Sequence, residues 1–219
     1  MEGIKIIKNI ANDDRTFLAE YNGQICVLKK YHDAIENIKE VAILNRVSLT
    51  GYAPKILLKG KDFIVQEYLE GQSLNTLFIQ ATRQDDVKML ENLANWLSIY
   101  LQIFYSVVDG CIVKHIDFNN FIIFNDRCYG VDYDSVEEGL NNIDIANIVA
   151  YACVNCVGDV FSCFPFVRVI LKNFHVEIID IINEVKDFFV DYNSAMHILD
   201  VDNLMESLLA INEKVLNRI

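Results

Sequence analysis

Only two prolines and nine glycines are spread through the 219 residues. That leaves no Pro/Gly-rich linker, and neither a low-complexity segment nor an internal repeat is visible. Basic residues are also scarce. Nineteen Lys and Arg face 31 Asp and Glu, for a formal net charge of −12. So acidic a chain argues against broad nucleic-acid binding, which draws affinity from lysine and arginine displacing counterions. A cationic substrate, or one complexed with Mg²⁺, suits it better. The most apolar stretch, IANIVAYACVNCVGDVFSCFPFVRVIL at 145–171, is broken by Asn147, Asn155, Asp159 and Arg168, so it reads as buried helix and not as a membrane span. The opening MEGIKIIKNIANDD lacks an apolar h-region and a small-residue cleavage site. A cytoplasmic protein without a membrane partner is therefore expected. Cys26, Cys111, Cys128, Cys153, Cys156 and Cys163 show no framework spacing and sit in apolar segments, which suggests reduced core thiols. Cys153-x-x-Cys156 is a single pair without the second pair that a zinc site of this type needs.

Hydrophobic residues make up 53% of the chain, ample for one large domain or two small ones. The first third is β-rich. Residues 3–10 (GIKIIKNI) and 16–21 (TFLAEY) read as strands. Asn22-Gly23 then signals a type I′ hairpin, because both central positions of that turn need positive φ. QICVLKKY (24–31) is the third strand. The helical spacing of Ile35, Ile38, Val41, Ala42, Leu44 and Val47 predicts a helix over 34–49, ended by Gly51 and Pro54. KILLKG and DFIVQEYL are two further strands joined at Gly60-Lys61. The order is β-β-β-α-β-β over residues 1–70. After Gly71 two helices are expected, then short β segments through 115–134 (HIDFNNFIIFNDRCYGVDYD), then helices from 142 to 219, among them 201–216.

This order resembles the protein-kinase-like fold, and several motifs fall where that fold would want them. VLKK at 27–30 resembles the lysine strand, with Lys29 the better match. EVAIL at 40–44 resembles the helix that supplies the lysine's carboxylate partner, which nominates Glu40. FIVQEYLEG at 63–71 resembles the hinge, where backbone groups near Glu67 and Leu69 would meet adenine. His115-Ile116-Asp117 resembles the H-x-D of the catalytic loop, and Val131-Asp132-Tyr133-Asp134 resembles the metal-binding strand end. The fold implied is α+β and bilobal. An N-terminal lobe (1–70) would carry a five-stranded antiparallel sheet and one helix, and a mainly helical lobe (71–219) would carry catalysis and substrate. By the same resemblance, ATP and Mg²⁺ are the cofactors. Lys29 would hold phosphates and Glu40 would hold Lys29. Asp132 and Asn120 would hold the metal, and Asp117 would take a hydrogen bond or proton from the acceptor hydroxyl. His115 reads as a structural residue of the loop and not as an acid or base.

The chain departs from the kinase pattern in three places. The asparagine expected five residues after the catalytic aspartate is replaced by Asn119 and Asn120, two and three residues after Asp117. Aligning NFII with the strand that follows favours Asn120 over Asn119 as the metal ligand, the other candidate at this position. The turn of Ala11, Asn12, Asp13, Asp14 and Arg15 contains no glycine, so the glycine-rich loop is missing. Asp134 stands where D-F-G has its glycine. D-x-D, with only about a dozen residues before a helix near Asp144, resembles the aminoglycoside, choline and homoserine phosphotransferases. No long activation segment or A-P-E motif is present to build a peptide platform. The expected activity is phosphorylation of a hydroxyl on a small molecule. A compact atypical protein kinase and a pseudokinase that binds nucleotide without turnover are the alternatives.

Overall fold

Alternation and turn chemistry build the first sheet. β1 (Ile4–Asn9), β2 (Thr16–Tyr21), β3 (Gln24–Lys30), β4 (Ile56–Lys59) and β5 (Phe63–Glu67) pair antiparallel in the order β1-β2-β3-β5-β4. The computed structural model describes residues 3–11, 14–114, 116–157, 159–196, 202 and 205–209. The β2–β3 hairpin closes at Asn22 and Gly23, whose φ of 51° and 77° match a type I′ turn. One face of the sheet packs Ala19, Cys26, Leu28 and Val65 into a small cluster. Successive side chains of a strand point to opposite faces. Val27 and Lys29, with their cross-strand partners Gln66 and Ile64, therefore share the other face.

That second face joins α1 (Ala34–Ser48), and Ile64 belongs to the same cluster as Val41, Leu44 and Val47. Asp33 caps the helix by accepting from the N–H groups of Ile35 and Glu36, at 2.7 and 2.9 Å. The buried stripe is rotated from the one expected. Ile35 and Ile38 are 66% and 60% exposed, while Asn37 and Glu40 are buried. Both polar side chains have partners that make burial tolerable. Asn37 Nδ2 donates to the carbonyls of Gly60 and Lys61, and Glu40 pairs with Lys29.

The rest of the chain is mostly helical. β6 (Gln72–Ser73), β8 (Phe121–Phe124) and β9 (Arg127–Gly130) form a three-stranded sheet in the order β6-β8-β9, and β7 (Cys111–Ile112) pairs with β10 (Glu137–Glu138). Around them lie α2 (Leu74–Arg83), α3 (Val87–Val107), α4 (Asn141–Asn155), α5 (Phe164–Phe174) and α6 (Ile182–Met196). The apolar stretch at 145–171 is not one helix. It breaks after Asn155, and α5 resumes with Pro165 in its first turn, where a missing N–H leaves no bond unmade. The main core runs without interruption from Val41 and Ile64 to α6, across the boundary expected near residue 70. Gly130 ends β9 where a Cβ would run into the hydroxyls of Tyr100 and Tyr133. All six cysteines are free, and Cys26, Cys128, Cys153 and Cys163 are buried. Among the described residues no helix is long and apolar enough to cross a membrane. Asn12, Asp13 and His115 lie outside the described residues, as does most of the helix expected at 201–216, of which 202 and 205–209 are helical.

Candidate functional site

The strand-end aspartate and the lysine strand meet although they are 103 positions apart. Lys29 Nζ lies 2.8 Å from Glu40 Oε2 and 2.5 Å from Asp132 Oδ1. Lys29 is 5% exposed and Glu40 is fully buried. Burial alone would lower the lysine's pKa, but the charges of Glu40 and Asp132 outweigh it and raise it, so the ammonium persists. Burial pushes the Glu40 carboxyl up, and Lys29 pulls it back down. Neighbouring residues of the VDYD stretch diverge. Tyr133 turns into the core, where its hydroxyl donates to the Gly130 carbonyl. Asp134 is exposed, and its N–H donates to Asp132 Oδ1 at 3.3 Å. Loss of solvent and the nearby Asp132 charge both raise the Asp134 pKa.

The second half of the site is a loop held by one face of α4. Asp144, fully buried, accepts from the N–H groups of Val113 and Lys114 at 2.8 and 2.9 Å, and from the Tyr105 hydroxyl at 2.9 Å. Burial raises its pKa, and these hydrogen bonds oppose the rise. One turn on, Asn147 Nδ2 donates to the Lys114 carbonyl at 2.6 Å. Two turns on, the Tyr151 hydroxyl donates to Asp117 Oδ1 at 2.9 Å. Residues spaced i, i+3 and i+7 share a helix face, so α4 grips the loop at three successive levels. Asp117 Oδ1 also accepts from Asn119 N at 2.8 Å and Asn119 Nδ2 at 2.9 Å. The backbone of Asn120 ties the two halves together. Its N–H donates to the Asp117 carbonyl, and its carbonyl accepts from Val131 N, one residue before Asp132.

Both halves contribute to one cavity of about 760 Å³, within the range of small-molecule sites. Ile10, Val27, Ile122 and Val131 give it apolar walls. Gln66, Glu67, Tyr68 and Leu69 run along one side. Lys29, Asp117, Asn119, Asn120 and Asp132 supply the polar groups. Of the residues expected from sequence, only Glu40 does not line the cavity. It sits behind Lys29 and orients it. Among the described residues no group of three or more His, Cys, Asp or Glu side chains could hold a metal ion. Asp132 and Asn120 offer one carboxylate and one amide oxygen. That fits Mg²⁺, which commonly takes one or two carboxylates and completes its shell with phosphate and water.

Two participants, Tyr151 and Gln66, are not nominated by the sequence, and Asn119 takes a role other than metal binding. Tyr151 carried a readable signal, since it falls seven residues after Asp144 on the same helix. Asn119, which alignment ranks behind Asn120 as a metal ligand, holds Asp117 through its side chain. Gln66 gave no signal, because its burial depends on the sheet pairing. A scan against protein-family models finds no match for this chain, and a search of the curated proteins finds none.

Proposed function

We propose that the chain is an ATP-dependent phosphotransferase of bilobal, protein-kinase-like architecture, acting on a hydroxyl of a small molecule. The lobes would be residues 1–70 and 71–219, with the cavity between them. The observation that carries this reading is the convergence of Lys29, Asp117, Asn120 and Asp132 on one cavity, with Glu40 buried behind the lysine. Phosphoryl transfer asks mainly for positioning and for compensation of negative charge. Lys29 would meet the phosphates, while the apolar walls and the backbone near Glu67 and Leu69 would take adenine. Asp132 and Asn120 would hold Mg²⁺, which when bound neutralises phosphate charge. Asp117, its Oδ1 fixed by three donors, would orient the acceptor hydroxyl through its other oxygen. Between Asp132 and α4 the chain is short and carries only β10, which favours a small acceptor over an extended peptide. The charge of −12 favours a cationic one.

A thermal-shift titration with ATP and Mg²⁺ tests the first half of this reading. A ligand that binds only the folded state stabilises it by mass action, by about 2.7 kcal/mol at a hundredfold excess over Kd. The Tm should rise, and Lys29→Ala should shrink that rise relative to its own ligand-free Tm. No shift with any nucleotide at millimolar concentration overturns the proposal. Phosphate transfer across a panel of cationic and hydroxylated metabolites tests the second half. Transfer to a generic basic protein instead would make the chain a protein kinase. Nucleotide binding with no acceptor in the panel would leave a binding module without turnover.

A further inference from the structure

Gln66 is 4% exposed, and its Oε1 has no hydrogen-bond partner. A buried carbonyl oxygen left unpaired is costly, and such groups in native proteins call for an explanation. Its position supplies one. Gln66 pairs across the sheet with Val27, two residues before Lys29. The cross-strand register puts its side chain on the face that Val27 and Lys29 present to the cavity, opposite the Val65 cluster. It directly precedes Glu67, Tyr68 and Leu69, which border the same cavity. Apolar walls at Val27 and Val131 suit a flat ring, and a buried amide beside such a slot suits a ring edge with hydrogen-bonding atoms.

Resting on the nucleotide-binding reading above, we propose that Gln66 selects the base, its side-chain amide hydrogen-bonding the amino-bearing edge of adenine. A glutamine amide offers one acceptor and one donor side by side. The N6 amino group and N7 of adenine offer the complementary donor and acceptor, and glutamine reads that edge bidentately. Guanine presents two acceptors there, N7 and O6, so the amide carbonyl would face an oxygen and lose its bond. The terminal amide torsion of glutamine is broad and roughly two-fold, so turning the carbonyl toward the ring strains nothing else in the side chain. The ligand thus completes a hydrogen bond that the fold leaves unmade.

The experiment is calorimetric titration of the full chain with the Mg²⁺ complexes of ATP, GTP and purine riboside triphosphate, which lacks the 6-amino group. Wild type should prefer ATP to both others by about tenfold or more, the discrimination of one good bidentate pair. In Gln66→Leu the preference for ATP over the desamino analogue should shrink by about tenfold, whatever the backbone near Glu67 and Leu69 adds to adenine binding. Without ligand the variant should melt close to wild type, because the substitution removes a buried oxygen that has no hydrogen-bond partner in the fold. Gln66→Met, closer in shape, repeats the measurement if the leucine variant is less stable. Retention of the ATP preference in both variants overturns the proposal while leaving nucleotide binding intact, as does wild type that fails to discriminate. Wild type that binds none of the three overturns both readings at once.

Discussion

At Asp117 the Asn119 backbone N–H, the Asn119 side chain and the Tyr151 hydroxyl all converge on Oδ1. The oxygen is pinned by geometry that does not depend on ligand. Removing charge and removing positioning should therefore give different deficits. Asp117→Asn keeps the shape and the metal-side residues, so ATP affinity should hold while turnover falls by roughly 10²–10⁴, as for loss of a positioned acid–base group. Tyr151→Phe deletes one hydrogen bond and leaves the carboxylate. Its turnover should fall about tenfold, in line with the loss of one such bond. Asn119→Ala should behave similarly, whereas motif alignment alone would make it silent. Steady-state kinetics beside ATP binding for the three variants distinguishes these outcomes. Equal loss in all three would mean that the carboxylate's charge contributes nothing beyond its placement.

At the scale of elements, α4 holds the loop that carries Asp117 at three levels without lining the cavity itself. Asp144→Ala would leave the N–H groups of Val113 and Lys114 without their acceptor in a buried setting. The expected loss is about 3 kcal/mol, from two orphaned donors. It should be read as a lower urea midpoint with an unchanged slope, accompanied by lower turnover as the loop slackens. The elements themselves were largely legible. Alternation and the Asn22-Gly23 turn mark the five strands because local chemistry decides them. The same holds for Asn125 and Asp126, whose φ of 48° and 57° close the β8–β9 hairpin. The buried face of α1 was not legible, since hydrophobic periodicity takes no account of a glutamate made tolerable by a lysine on another strand. Nor was the break after Asn155, where composition stays apolar across two helices. In the site, the order of Lys29, Glu40, Asp117 and Asp132 could be read along the chain. The contacts that hold them, from Tyr151 and Asn119, depend on which faces meet.

For the whole molecule, buried phenols set the response to alkali. Burial raises the pKa values of Tyr31, Tyr100 and Tyr133 above the ordinary value of 10.0. Once unfolded, these groups lose their protons near that value; while folded, they keep them. Above pH 10 the unfolded state therefore binds fewer protons than the native state, and stability falls as pH rises. Each contributes about 1.4 kcal/mol per pH unit until its own folded pKa is reached. Lys29, raised above 10.5, acts in the same direction at higher pH. Tyrosinate absorbance and loss of helical circular dichroism should thus rise together in one cooperative step above pH 10. Gradual tyrosinate formation with the fold intact would count against this. The pairing of β6 with β8 bears on the cavity as well. β5 is fastened to one sheet and β6 to another, and only residues 68–71 lie between them. Those four residues are the whole covalent path from the five-stranded sheet to the three-stranded one, and two of them, Tyr68 and Leu69, border the cavity, so the wall beside Lys29 and Asp132 is stretched between two separately fastened sheet edges.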